Sequence, residues 1–287
     1  MAGIMPEGGQ VAIIVTDSTA DIPAGLAAEN DIHVIPLTVN FDAESFADGV
    51  EITHDQFYAR LVESNNLPTT SQPSVGAFEQ LYRAIGNDEP IISIHIAGKL
   101  SGTIRSAQQA AELLPDFDIR VIDVQSTTMS QGWAALLAAR AAKEGKSADE
   151  IVALVHSIVE RTRLLAALDT LRYLEKGGRI GKTRALLGTL LNVKPIIDVR
   201  DGEVKPFEQV RSKKKAVARL IEEARSMAPF EELAVLYSRN EAEAREFAQS
   251  LNEIFPADRI VLAEIGAVVG THIGPGALGF TGVRKNK

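Results

Sequence analysis

Apolar residues in the first half of the chain come in short runs separated by stretches with helical spacing. The runs VAIIV (11–15), HVIPLTV (33–39), IISIHIA (91–97) and IRVIDV (119–124) are rich in Val and Ile, as strands buried on both faces are. Between them SVGAFEQLYRAI (74–85) places Phe78, Leu81, Tyr82 and Ile85 at i, i+3, i+4 and i+7, the stripe of an amphipathic helix. GTIRSAQQAAELL (102–114) and QGWAALLAARAAKEG (131–145) are further helix candidates, each following a strand. Strand and helix in alternation predict a parallel sheet with right-handed crossovers.

After the helix SADEIVALVHSIVERTR (147–163) the pattern changes. LLAALDT (164–170) predicts a strand and LRYLEKGG a short helix, while VKPIIDVRDGEVKPFEQVR (193–211) predicts a hairpin with Asp201-Gly202 at its tip. A helix over 212–227, the strand ELAVLYS (232–238), a helix over 241–254 and a final strand pair, RIVLAEIG and GALGFTGV, complete this half. The expected fold is α/β: an N-terminal three-layer domain with a parallel sheet (1–160) and a C-terminal α+β domain with a mixed sheet (161–287).

The Ser and Thr positions add chemistry to this map. VAIIV runs into TDST (16–19), IISIHIA into GKLSGT (98–103) and IRVIDV into QSTTMSQG (125–132). A fourth cluster, TTSQPS (69–74), precedes the helix expected from about 74. Each alone reads as turn and capping chemistry. Three of them at the carboxyl ends of strands of one open sheet predict a ligand pocket, with helix N-termini suited to an anion. Hydroxyl and N–H donors without a ring of Lys and Arg suit a single carboxylate better than a triphosphate. In the second half GAVVGTHIGPGALGF (266–280) is expected to form Gly-rich turns around His272, a better functional candidate than His33 or His95 within strand patterns.

Other signals are weaker than they look. KGGRIGKT (176–183) has Lys176 where a phosphate-binding P-loop needs Gly, and it follows a helix pattern instead of a strand. Gly177 and Gly178 are expected to end that helix, and Lys176, Arg179, Lys182 and Arg184 to form a solvated or docking surface. Five scattered histidines and no cysteine give no metal-ligand spacing, and neither a metal nor a dinucleotide cofactor is expected. A hydrolase would have to pair Ser101 or Ser71 with His272 and Asp17, without a GxSxG elbow.

The 287 residues carry a net charge of −8, which argues against a nucleic-acid partner. No apolar run approaches the ~18 residues of a membrane span. The opening MAGIMPEGGQ lacks the basic residue and long apolar core of a signal peptide and is expected to be a short floppy leader. The absence of cysteine fits a reducing cytoplasm.

TDSTADIP, TTSQPS, SGT…SA, YLEKGGRI, KPI and GTHIGPGALG occur in an order and spacing that resembles the DegV family over nearly the whole chain from about Val11. The resemblance implies a cytoplasmic bacterial protein that binds a long-chain fatty acid (C14–C18) and needs no cofactor. It also implies a non-catalytic role as the binding subunit of a fatty acid kinase. In that role it presents the carboxylate to a dihydroxyacetone-kinase-like, ATP-binding subunit for acyl-phosphate formation, and there is room for a peripheral membrane contact. By motif, Thr70, Ser101 and His272 correspond to the carboxylate-binding residues. Ser18, Thr19, Ser71, Thr103 and Thr271 correspond to pocket lining, and Arg179 to partner docking, with the acyl tail mainly in the second domain. Two alternatives stay open: an acyl-ester hydrolase using Ser101 and His272, and a lipid carrier or sensor without a kinase partner. One departure is QSTTMSQGW, where Gln131 and Trp133 replace the family's usual small residues and put the shape of the pocket in question.

Overall fold

A computed structural model of the protein describes residues 11–64, 66–186 and 193–286, so the expected leader lies outside the described residues. The first half runs β1 (Ile13–Asp17), α1 (Ala24–Glu29), β2 (His33–Ile35), β3 (Thr38–Phe41), β4 (Glu44–Ala47), α2 (His54–Glu63), β5 (Thr69–Ser71), α3 (Val75–Ile85), β6 (Ile91–His95), α4 (Thr103–Glu112), β7 (Ile119–Asp123), α5 (Met129–Lys143) and α6 (Ala148–Arg161). The order β2-β1-β6-β7 makes the expected parallel sheet, with Ile14 beside Ile92 and Ile94 beside Ile122. All five residues of β6 are buried, which is why its sequence is rich in Ile on both faces, while its two polar residues, Ser93 and His95, are paired inside.

Two expectations are corrected here. HVIPLTV is not one strand. Pro36, which has no N–H to give a ladder, parts β2 from β3, and β3 joins a separate antiparallel sheet of order β4-β3-β5. TTSQPS is not simply a helix mouth. Residues 69–71 form β5, paired with β3 so that Val39 faces Thr70, and only Ser74 caps α3, accepting from Ala77 N–H. The hairpin β3–β4 and the helix α2 had no counterpart among the sequence-based elements.

The second half runs β8 (Thr162–Ala167), α7 (Arg172–Lys176), β9 (Lys194–Arg200), β10 (Glu203–Val210), α8 (Lys213–Met227), β11 (Phe230–Tyr237), α9 (Glu241–Ser250), β12 (Val261–Glu264), α10 (Ala267–Ile273) and β13 (Leu278–Arg284). Its sheet has the order β10-β9-β8-β13-β11-β12 and is mixed, as expected. Asp201 and Gly202 both have positive φ (54° and 75°) at the β9–β10 tip, the twist that a two-residue hairpin favours. The last two strands are not paired with each other. β13 inserts antiparallel between β8 and β11, and β12 lies parallel to β11 on its other side.

Helix α5 joins the halves. It packs on β1 and β6 of one sheet and on β13, β11 and β8 of the other, and Trp133 and most of its alanines are fully buried. Small residues all round are what lets one helix sit between two sheets. The largest apolar cluster accordingly contains Ile14 and Ile92 from the first half and Leu164, Ile197 and Val199 from the second.

Candidate functional site

The segment around His272 is a helix, not the run of turns expected. α10 carries His272 in its last turn, and the turn follows at Gly274 and Gly276, with φ of 74° and 83°. Gly270 is small because α2 lies against it: a Cβ there would stand 2.7 Å from the ring of Phe57 and 2.8 Å from the Tyr58 hydroxyl. The helix starts on two carboxylates of the first half. Gly266 N–H donates to Asp21 at 2.9 Å and Ala267 N–H to Asp48 at 2.9 Å, which satisfies amides that a helix N-terminus leaves open. Burial pushes the carboxyls of both Asp21 and Asp48 above the usual range. α10 is thus anchored at one end and delivers His272 at the other.

His272 meets Thr70 there, Nε2 to Oγ1 3.0 Å. Its Nδ1 is buried and without a hydrogen-bond partner among the described residues, and it is shut in by Gly177, where a Cβ would lie 2.2 Å away. A buried N–H without an acceptor is costly, so the ring proton belongs on Nε2 and is donated to Thr70. That leaves the Thr70 O–H free to donate onward. Burial, together with the positive charge of Arg179, lowers His272 to about 4, so the ring is neutral at neutral pH.

Ser101 has the same logic. It lies in the loop between β6 and α4, where its Oγ accepts from Thr103 N–H at 3.3 Å and pairs with the Thr103 hydroxyl at 2.9 Å. Either hydroxyl can donate in that pair, and when Thr103 does, the Ser101 O–H is also free. Two hydroxyls with their oxygens already occupied by the protein make a pair of outward donors suited to an anion.

Thr70, Ser71, Gln72, Ser101, Arg179 and His272 line one cavity of about 360 Å³, within the range of small-molecule sites. The rest of its wall is almost entirely apolar: Leu37, Ile96 and Leu100 come from the first half, and Leu174, Ile197, Val199, Val204, Val268, Val269 and Ile273 from the second. Among the described residues, Arg179 is the only formally charged side chain in this wall. It is half-buried and tied by Nε to Leu100 C=O (3.1 Å) and by Nη1 to Gly177 C=O (2.8 Å), so it is part of the wall and not a projecting surface residue. Of its basic neighbours, Lys182 pairs with Glu203 at 2.8 Å.

Four residues expected as lining stand outside this wall. Ser18 accepts from Leu37 N–H and faces a different cavity. Thr19 is sealed in the core beside Asp17, Thr103 is buried behind Ser101, and Thr271 donates back to Ala267 C=O within its own helix. The physical reason is common to all four: each hydroxyl has a local acceptor or donor to satisfy. Gln131 and Trp133 are fully buried and also outside the wall, so of the segment QSTTMSQGW it is Thr127, and neither of the two departing residues, that lines the cavity.

A second polar constellation was passed over in sequence. Asp17 Oδ2 meets His95 Nδ1 at 2.8 Å, His95 Nε2 meets Ser93 Oγ at 2.7 Å, and Ser93 Oγ meets Tyr82 OH at 2.8 Å. Burial works to raise Asp17, but hydrogen bonding to and charge on His95, with Thr19 and Gln131, hold its carboxyl below the usual range. The order Asp-His-Ser imitates a catalytic triad. Ser93 is 0% exposed, however, and its hydroxyl is shared with Tyr82, so it is a structural network. The Ser101 and His272 pair fares no better as a hydrolase: Ser101 is bonded to Thr103, and among the described residues no carboxylate meets His272 Nδ1 to orient it as a triad needs.

The family model for DegV, described as an uncharacterised protein family, matches residues 11–285. Protein DegV of Bacillus subtilis is 36% identical over 272 residues, 93% of this chain and 97% of that protein. Its crystal structure, that of a fatty acid binding protein, superposes with a TM-score of 0.86 at 35% identity and covers 96% of this chain and 100% of the other. A fatty-acid-binding DegV family protein from Thermus thermophilus gives a TM-score of 0.88 at 34% identity over 96% of this chain and 99% of the other. A stearic-acid-binding protein from Eubacterium ventriosum gives 0.88 at 28% identity over 95% and 98%.

Proposed function

The chain belongs to the DegV family, and from that premise and the cavity we propose that it binds one long-chain fatty acid, C14–C18, between its two halves. The carboxylate takes the hydroxyls of Thr70 and Ser101, with His272 fixing Thr70 and Arg179 supplying the nearby positive charge. The tail runs along Leu174, Ile197 and Val204 towards Val199, mainly on residues of the C-terminal half. The single observation that carries this is the union, in one cavity, of the Thr70 and Ser101 hydroxyls and a largely apolar wall. Burial contributes roughly 0.8 kcal/mol per CH₂, so a 16-carbon tail supplies on the order of 10 kcal/mol before ordering costs. The polar contacts then need only orient the head.

The protein itself does not perform the chemistry in this reading. Ser71 and Gln72 are exposed beside Thr70, which supports a head group left within reach of a second protein. A cytoplasmic, dihydroxyacetone-kinase-like subunit transfers the γ-phosphoryl group of ATP to the carboxylate, releasing ADP and leaving an acyl phosphate. Native mass spectrometry of the purified protein, followed by denaturing extraction, tests the binding. One C14–C18 acid per chain is the expected result. A protein that is empty and takes up neither palmitate nor oleate overturns it. Adding the kinase subunit and ATP to the loaded protein tests the second step through acyl-phosphate formation.

A further inference from the structure

A second cavity, also of about 360 Å³, adjoins the first. Val199 stands in the walls of both, and of the consecutive residues Ser126 and Thr127 one lines the second cavity and the other the first. Val199 on β9 and the segment after β7 thus border both spaces. Val199 is 4% exposed and held in register between Leu164 of β8 and Val204 of β10. Beyond it the character of the space changes. Ser126, whose buried Oγ has no partner among the described residues, Ser130, Thr162, Arg200 and Arg284 line the far side, with Val124, Val159 and Met227 as its apolar part. An alkyl terminus gains from apolar neighbours and nothing from the polar groups.

Resting on the fatty-acid reading, we infer that Val199 is the end stop of the acyl tail and sets the upper chain length. A chain that fits up to Val199 buries each methylene against apolar wall. A longer one must displace the valine into a polar chamber or leave its terminus folded back. Preference should therefore break sharply at one length instead of fading.

The test is a competition. Wild-type protein, Val199→Ala and Val199→Ile are each equilibrated with an equimolar mixture of straight-chain saturated acids from C12 to C22, and the bound acids are extracted and quantified by mass spectrometry. One more buried methylene is worth roughly fourfold in affinity. Val199→Ala should shift the upper limit by about two carbons and raise the longer-to-shorter ratio there by on the order of tenfold. Val199→Ile, which keeps the branched side chain that a strand favours, should shift the limit the other way, and it decides the matter alone if the alanine variant does not fold. Coincident distributions in wild type and variants overturn the role of Val199 while the fatty-acid reading stands. A wild-type protein that takes no acid from the mixture overturns both.

Discussion

Thr70 and His272 are 202 positions apart in the chain, yet Oγ1 and Nε2 meet at 3.0 Å. One sits on β5 of the small antiparallel sheet, the other at the end of α10, and their contact closes the polar end of the cavity. Replacing either outward hydroxyl removes one bond to the ligand. Thr70→Ala and Ser101→Ala should each weaken fatty-acid binding by about 1 kcal/mol or more, roughly fivefold. A fluorescent fatty-acid displacement titration reads this directly. Unchanged affinity in both variants removes the assignment of the head-group site.

Gly177 lies against the ring of His272, and alanine there brings a Cβ to 2.2 Å from Nδ1. At a helix end, Gly→Ala ordinarily stabilises by reducing the freedom of the unfolded chain. Here the sign should reverse. Gly177→Ala is expected to lower the melting temperature and, by pushing His272 off Thr70, to cut ligand affinity tenfold or more. Higher stability with unchanged binding contradicts the close approach.

His272 is lowered from 6.5 to about 4 by burial and by Arg179. Between those pH values the unfolded chain binds more protons than the folded one, so this residue makes stability rise with pH through the window and lets it fall as pH drops towards 4. Asp21 and Asp48, whose carboxyls are raised, act in the opposite direction, so the difference between wild type and His272→Gln isolates the histidine. The stability gap between them should change across pH 4 to 6.5 and be flat above. An NMR titration should place the ring's midpoint near 4, and a midpoint near the ordinary value excludes the buried neutral ring.

The Asp17–His95 contact has a different expected signature. Removing one partner of a buried pair typically costs about 3–5 kcal/mol, so His95→Ala should lose stability on that scale in urea denaturation. Neither residue lines the ligand cavity. The affinity of whatever protein remains folded should match wild type, and a selective loss of affinity at unchanged stability would reassign the network to the site.

Much of the frame was legible in the sequence because its signals are local. Burial on both faces makes β6 rich in Ile, Asp201-Gly202 prescribes its own hairpin, and the helical spacing of Phe78 and Tyr82 marks the buried face of α3. Thr70, Ser101 and His272 were singled out by their motifs, and the fold brings all three to one wall. What the local pattern did not carry depends on partners far away in the chain. The strand character of Thr69–Ser71 exists only because β3 offers a ladder, and α10 is helical because Asp21 and Asp48 meet its first amides while Gly270 lets α2 approach. Arg179 reads as a surface charge until Leu100 and Gly177 turn their carbonyls towards it. Periodicity records which face of an element is buried. Which buried faces meet, and hence which hydroxyls keep a free proton for a ligand, was decided by tertiary packing alone.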